Sequence, residues 1–110
     1  MPVDTRVRLQ ALVADFGGQA GVANALRVDR SRVNRWLRDA TPDATNLRKL
    51  EGTEFALARL SAIYDRATAV KWLMGVNAHL GDRRPIDLLV AGRVAEVIAA
   101  VDAEEGGTYA

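Results

Sequence analysis

The sequence predicts an all-α fold, and three observations carry that prediction. Apolar residues recur every three or four positions along most of the chain, the spacing of one helix face. The hydrophobic fraction is 49% while aromatics are only 5%, so the core is built mainly from Ala, Val and Leu, a composition that favours helix packing. The nine glycines and three prolines sit as punctuation between the periodic segments. At 110 residues the chain is one compact unit, or two small lobes sharing a core.

The elements follow in order. Asp4 or Thr5 can cap a first helix whose apolar positions are Leu9, Leu12, Val13 and Phe16. Gly17-Gly18 ends it. A short helix runs from about residue 19 to 26, with Ala20, Ala23 and Leu26 on one side. Arg27-Val28-Asp29 makes a turn, and a third helix covers about residues 30–39.

The segment 19–38 has the spacing of a helix-turn-helix. Ala23 is small where the two helices cross, and Leu26, Val28, Val33 and Trp36 set the angle between them. Arg27 stands where such turns often carry glycine. On a wheel of about 100° per residue, Val33, Trp36 and Leu37 share one side. Arg30, Ser31, Asn34, Arg35 and Arg38 occupy the other, with Arg32 at its margin. Five arginines between 27 and 38 face two acids at 29 and 39. Arginine suits bidentate contact with guanine edges and phosphates, and asparagine can read adenine. These six polar residues are candidate DNA contacts. A solvated face is the plain alternative, but the cations are all Arg and lie on the second helix of the pair.

Thr41-Pro42-Asp43 is a connector, because Pro42 disfavours helix at Thr41. From Asn46, the residues Leu47, Leu50, Phe55, Leu57, Leu60, Ile63 and Tyr64 predict one long helix or two collinear pieces. Gly52-Thr53 is the possible break, with Thr53 able to cap the second piece. Asp65 or Thr68 leads into residues 67–101, where the apolar period changes three times. Ala67, Val70, Leu73 and Met74 share a helix face with Trp72 beside them, and Gly75 ends that helix in a left-handed conformation. Asn77 to Leu80 form one turn, stopped by Gly81. Pro85 suits a first helical position, Arg84 the cap, and Asp87 the third position, facing the positive end of the helix dipole. Ile86, Leu88 and Leu89 are the apolar payload and Gly92 closes the helix. Val94, Val97, Ile98 and Val101 stripe a last one.

Composition excludes several classes. There is no cysteine, and the single histidine, His79, makes no metal centre by itself; it reads as a turn or surface residue. No apolar run approaches the ~20 residues of a membrane span, and the first ten residues lack the apolar segment of a secretory signal. The expected location is cytoplasmic. No nucleophile is paired with a base: Ser31 lies among arginines, Ser61 in an amphipathic helix, and His79 has no partner in view. Gly17, Gly18 and Gly21 lack the Gly-Lys-Ser/Thr ending of a phosphate loop. The chain reads as a binding protein with no catalytic residue, metal or cofactor. Its net charge of +1 conceals a division: residues 1–50 hold nine Arg and Lys against five Asp and Glu, and residues 51–110 hold six against nine. Two surfaces of opposite sign imply two different partners, one of them a polyanion.

The order W-L-x(6)-L-G-x(3)-P-x-D-L-L-x(2)-G-x(4)-V is not a generic amphipathic pattern. Trp72, Leu73, Asn77, Leu80, Gly81, Pro85, Asp87, Leu88, Leu89, Gly92 and Val97 resemble the C-terminal toxin-binding domain of the Xre/MbcA/ParS antitoxins, partners of RES-domain toxins. The upstream half fits the same family's arrangement. The resemblance implies an Xre-like helix-turn-helix lobe over residues 1–44, packed with a multi-helix toxin-binding domain over 45–110. Trp36, Trp72, Leu80, Pro85, Leu88, Leu89 and Val97 are then structural core, and the long helix from Asn46 carries a homodimer contact within a toxin–antitoxin hetero-oligomer. In this family the C-terminal end reaches into the toxin's active site, which acts on NAD. That assigns Glu104, Glu105, Gly106, Gly107, Thr108, Tyr109 and Ala110 as toxin-binding. By itself the tail reads as three acids at a helix end, where the dipole disfavours them, followed by a free end beyond Gly106-Gly107. The resemblance thus implies an antitoxin that occludes a RES toxin and represses its own operon by binding operator DNA. The alternative is a free-standing helix-turn-helix regulator whose C-terminal half dimerises.

Overall fold

The computed structural model describes the backbone of residues 3–109 and the side chains of residues 5–107. Among them are α1 (Val3–Asp15), α2 (Gln19–Leu26), α3 (Arg30–Arg38), α4 (Ala44–Leu60), α5 (Arg66–Met74), α6 (Pro85–Val90) and α7 (Val94–Tyr109), with a 3₁₀ turn at Ala78–Leu80. The described residues form no strand; Asn77 and Arg83 make one isolated antiparallel bridge. The fold is all-α, as the sequence predicts.

Asp4 and Thr5 lie inside α1 instead of capping it. Its Leu9 and Leu12 are buried, with Val13 and Phe16 packed at the margin of the core. Gly17 and Gly18 reverse the chain with φ of +81° and +133°, values that side chains rarely tolerate. α2 closes at Arg27, which takes φ +56° and ψ +51°, the left-handed cap that glycine usually supplies. The next amide, Val28 N–H, bonds back to Ala23 O at 3.0 Å. α2 and α3 pack tightly on each other, with Ala23, Val33 and Trp36 buried at 5%, 0% and 3% exposure.

α4 runs unbroken through Gly52-Thr53. Asn46, Leu50, Thr53, Leu57 and Leu60 are buried along it at steps of four and three, the stripe of a helix embedded on one side. Gly52 is a close-approach residue and not a break: a Cβ there would stand 3.2 Å from Val94 Cγ2 and 3.6 Å from Leu89 Cδ2. Phe55 departs from the predicted stripe and is 51% exposed. It lies two residues from both Thr53 and Leu57, about 200° around the helix from each, and so on the outer face. α4 also stops at Leu60 and does not reach Tyr64. Ile63 and Tyr64 N–H groups both bond to Leu60 O, at 3.0 and 2.9 Å, and turn the chain.

Asp65 caps α5 by accepting the Thr68 N–H at 2.8 Å, and that bond holds its carboxyl below the ordinary range. The cap sets the helix phase. Ala69 and Leu73, one turn apart, are the buried pair; Ala67, expected on that face, is exposed, and Trp72, Val70 and Met74 pack partly against the core. Gly75 ends α5 in an extended conformation, φ −94° and ψ 155°, in place of the expected left-handed one. The next turn follows the sequence closely. Asn77 Oδ1 accepts the His79 N–H at 2.9 Å, and Gly81 closes the turn with φ +65°. Pro85 opens α6 behind Arg84, with Asp87 in its first turn. α6 is the hub of the fold, packing against α2, α4, α5 and α7. Its Ile86, Leu88 and Leu89, with Leu80, Val97, Ala100 and Val101, join the residues of α1–α4 in one continuous apolar cluster.

Candidate functional site

α3 presents its polar face outward. Arg30, Ser31, Arg32, Asn34, Arg35 and Arg38 are all exposed, while Val33 and Trp36 hold the opposite side in the core. Among the described residues, no ion pair or side-chain hydrogen bond engages Arg30, Arg32, Arg35 or Arg38. Several arginines elsewhere are occupied: Arg8 by Glu54, Arg59 by Asp102, Arg66 by Asp15, Arg84 by Asp87 and Arg93 by Glu96. The α3 cations thus form a positively charged helix face among the described residues. A polar groove of about 500 Å³ beside them is lined by Arg27, Asp29, Arg32, Asp43, Asn46 and Lys49 among others. Lys49 there donates to Leu26 O at 3.1 Å and joins α4 to the end of α2.

The C-terminal segment differs from the free end read from the sequence. α7 continues through Gly106 and Gly107 to Tyr109. The acids at 102, 104 and 105 therefore lie within a helix and not at its last turn. They are also held. Asp102 pairs with Arg59, Glu105 lies 3.8 Å from the same guanidinium, and the Tyr64 hydroxyl donates to Glu104. That bond, with some burial, raises the Tyr64 hydroxyl above its ordinary pKa. Glu104, Glu105, Gly106 and Gly107 are thus placed along one helical end. The side chains of Thr108 and Tyr109, and all of Ala110, lie outside the described residues. Sequence reasoning missed Arg59 and Tyr64. Arg59 is a last-turn cation of α4, and Tyr64 was counted only as an apolar position.

Of the residues assigned to the core, Trp36, Leu80, Leu88, Leu89 and Val97 are at most 4% exposed, and Pro85 is buried at the start of α6. Trp72 is only partly buried, yet its indole N–H is enclosed without a partner. Asp87 does more than face a helix dipole. It accepts two bonds from Arg84, at 2.9 and 3.0 Å, and one from Arg27 at 3.0 Å. The hydrogen bonds from Arg84 hold its carboxyl below the ordinary range, and the Arg84 guanidinium is raised in return.

A groove of about 710 Å³ runs between α4 and the α6–α7 junction. Gly52, Phe55, Leu89 and Val94 form its apolar part, and Arg8, Arg48, Lys49, Glu51 and Glu54 a rim of mixed charge. His79 is exposed in the turn before α6. Among the described residues no group of His, Cys, Asp or Glu is arranged to hold a metal ion, and no helix is long and apolar enough to cross a membrane.

Residues 59–107 match the family model of the antitoxin Xre/MbcA/ParS C-terminal toxin-binding domain. The match runs from the last turn of α4 through most of α7, so it includes Arg59, Tyr64 and the three tail acids. No curated protein and no solved structure matches the chain.

Proposed function

Starting from the premise that residues 59–107 are an Xre/MbcA/ParS antitoxin toxin-binding domain, we propose that this chain neutralises a RES-domain toxin and represses its own operon. The observation that carries the reading is the match itself, spread over the helices that form the α6-centred core. Residues 45–110 then serve as the toxin-binding part, with α5–α7 giving the anchoring surface. Glu104, Glu105 and the residues to Ala110 are directed at the toxin's NAD pocket. A pocket built for a pyrophosphate is cationic, and the acidic end of α7 complements it.

Residues 1–44 act as a helix-turn-helix lobe whose unpaired arginines meet operator DNA. Arg30, Ser31, Asn34, Arg35 and Arg38 contact bases and phosphates, and Arg32 contacts phosphate. The chain works as a homodimer within a toxin–antitoxin hetero-oligomer, with the outer face of α4 as the dimer contact. A half-exposed Phe55 on that face supports this assignment. The second reading, a free-standing regulator, draws on the same arginine face but leaves the family match without a role.

The test is capture from the native host with tagged chain, followed by mass spectrometry and co-expression of the captured protein. Recovery of a RES-domain protein whose growth arrest the chain rescues supports the reading. Deleting Gly106–Ala110 should leave complex formation intact while NAD consumption by the toxin returns. Capture of DNA and RNA polymerase components alone, with no toxin, would favour the regulator.

A further inference from the structure

The contacts at the end of α7 carry one further step, which rests on the reading that the C-terminal acids enter the toxin's pocket. Among residues 102–107, none is buried: Asp102, Ala103, Gly106 and Gly107 are exposed, and Glu104 and Glu105 are half-buried. α7 therefore loses its apolar anchorage after Val101. Gly106 and Gly107 weaken the helix further, each about fivefold poorer than alanine as a helix former. What fixes this segment is polar. Arg59, at the end of α4, holds Asp102 and approaches Glu105, and Tyr64, in the turn that follows, holds Glu104. One guanidinium and one hydroxyl thus engage every acid of the segment.

These are also the donor types that a pyrophosphate-binding pocket offers to an anion. A carboxylate bound by Arg59 or Tyr64 must give up that partner before a toxin can take it fully. We propose that Arg59 and Tyr64 form an internal latch, which holds Asp102, Glu104 and Glu105 against α4 in the free chain and is displaced when the toxin draws the segment into its pocket. The latch lowers apparent toxin affinity by the fraction of chains in which it is closed. Its pairs are partly exposed, with side-chain exposures of 38% for Arg59 and 57% for Asp102, so its effect is modest and weakens with salt. It keeps the acidic end folded back until a cationic partner competes for it.

The experiment has two arms. In the first, amide hydrogen exchange is followed on the free chain for wild type, Arg59→Gln and Tyr64→Phe. Residues 102–109 should exchange about twofold to fivefold faster in both variants, with the amides around Leu57 and Leu73 unchanged and Arg59→Lys restoring part of the protection. In the second, the toxin recovered by host capture is titrated with each form. Both variants should inhibit it at correspondingly lower concentration. Unchanged exchange at residues 102–109 overturns the latch without reference to any toxin. Faster exchange with equal or weaker inhibition overturns the competition, and in the weaker case shows that Arg59 and Tyr64 instead prepare the helix for binding. Failure of the tail reading has its own signature: Glu104→Gln with Glu105→Gln, and deletion of Gly106–Ala110, each leave inhibition intact while the exchange result stands.

Discussion

Arg27, at the turn between α2 and α3, donates to Asp87 of α6 across 60 residues of sequence, with Nη2 and Oδ1 3.0 Å apart. The basic N-terminal helices and the matched C-terminal domain are thus joined by a charge pair as well as by the shared core. Asp87 is also the partner of Arg84, so one carboxylate ties the cap of α6 to the α2–α3 turn.

Arg27 has a left-handed backbone at φ +56°, which strains a non-glycine residue by about 1–2 kcal/mol. Its exposed pair with Asp87 is worth about 0.2–1 kcal/mol. The strain is the larger quantity, so Arg27→Gly should melt at or above wild type. Arg27→Ala keeps the strain, loses the pair and should melt below it. The Asp87 carboxyl is held down by Arg84, so its stabilisation is present above the ordinary carboxylate range and lost as pH falls through its lowered folded value. Asp87→Asn should therefore be less stable than wild type at pH 7, with the gap closing below about pH 4. Thermal midpoints across pH check all three variants.

Thr53 is 1% exposed, and its Oγ1 is enclosed without a hydrogen-bond partner. Leaving such a hydroxyl unpaired costs about 1–3 kcal/mol. Valine has nearly the same shape and no such group. Thr53→Val should raise stability by about 1 kcal/mol in urea titration, with an unchanged m-value. A loss of stability would mean that the hydroxyl is satisfied in solution.

Leu89 is 2% exposed in the continuous cluster and lies close to Gly52 of α4. Leu89→Ala should cost about 2–5 kcal/mol, a large part of the stability of a domain this size. Any loss of toxin binding should track the lowered melting point and recover when the variant is assayed well below it.

Arg35 is exposed and has no partner among the described residues, so Arg35→Ala should leave the melting point unchanged. Operator affinity should fall by about 1–3 kcal/mol with relaxed preference at one base position. Arg32→Ala should weaken operator and scrambled duplex alike and lower the salt slope by about one. Duplex affinities at several salt concentrations separate the two. Absence of DNA binding by wild type, with and without toxin, would reduce α3 to a structural helix.

Much of this protein was legible from local sequence. Glycine and proline effects act on their own backbone, so the turn at Gly17-Gly18, the cap at Gly81 and the start of α6 at Pro85 followed from residue type. The polar and apolar sides of α3 followed from helix period for the same reason. Gly75 shows the limit. Its residue type permits a left-handed cap, but the chain leads directly into the Asn77–Arg83 bridge and takes an extended path.

What tertiary structure alone decided was which helix face met a neighbour and which charges met each other. From residue type Gly52 read only as a possible helix break, and the approach of Val94 and Leu89 makes it a crossing point instead. Phe55 looked like core because hydrophobicity was counted without knowing the phase of α4. Arg59, Tyr64 and the acids of α7 are separated by about 40 residues, and no periodicity links them. Their pairing depends on where two helix ends meet in space. Local rules follow from each residue's own torsions and hydrogen-bonding groups, whereas long-range pairing follows from how the helices share one core.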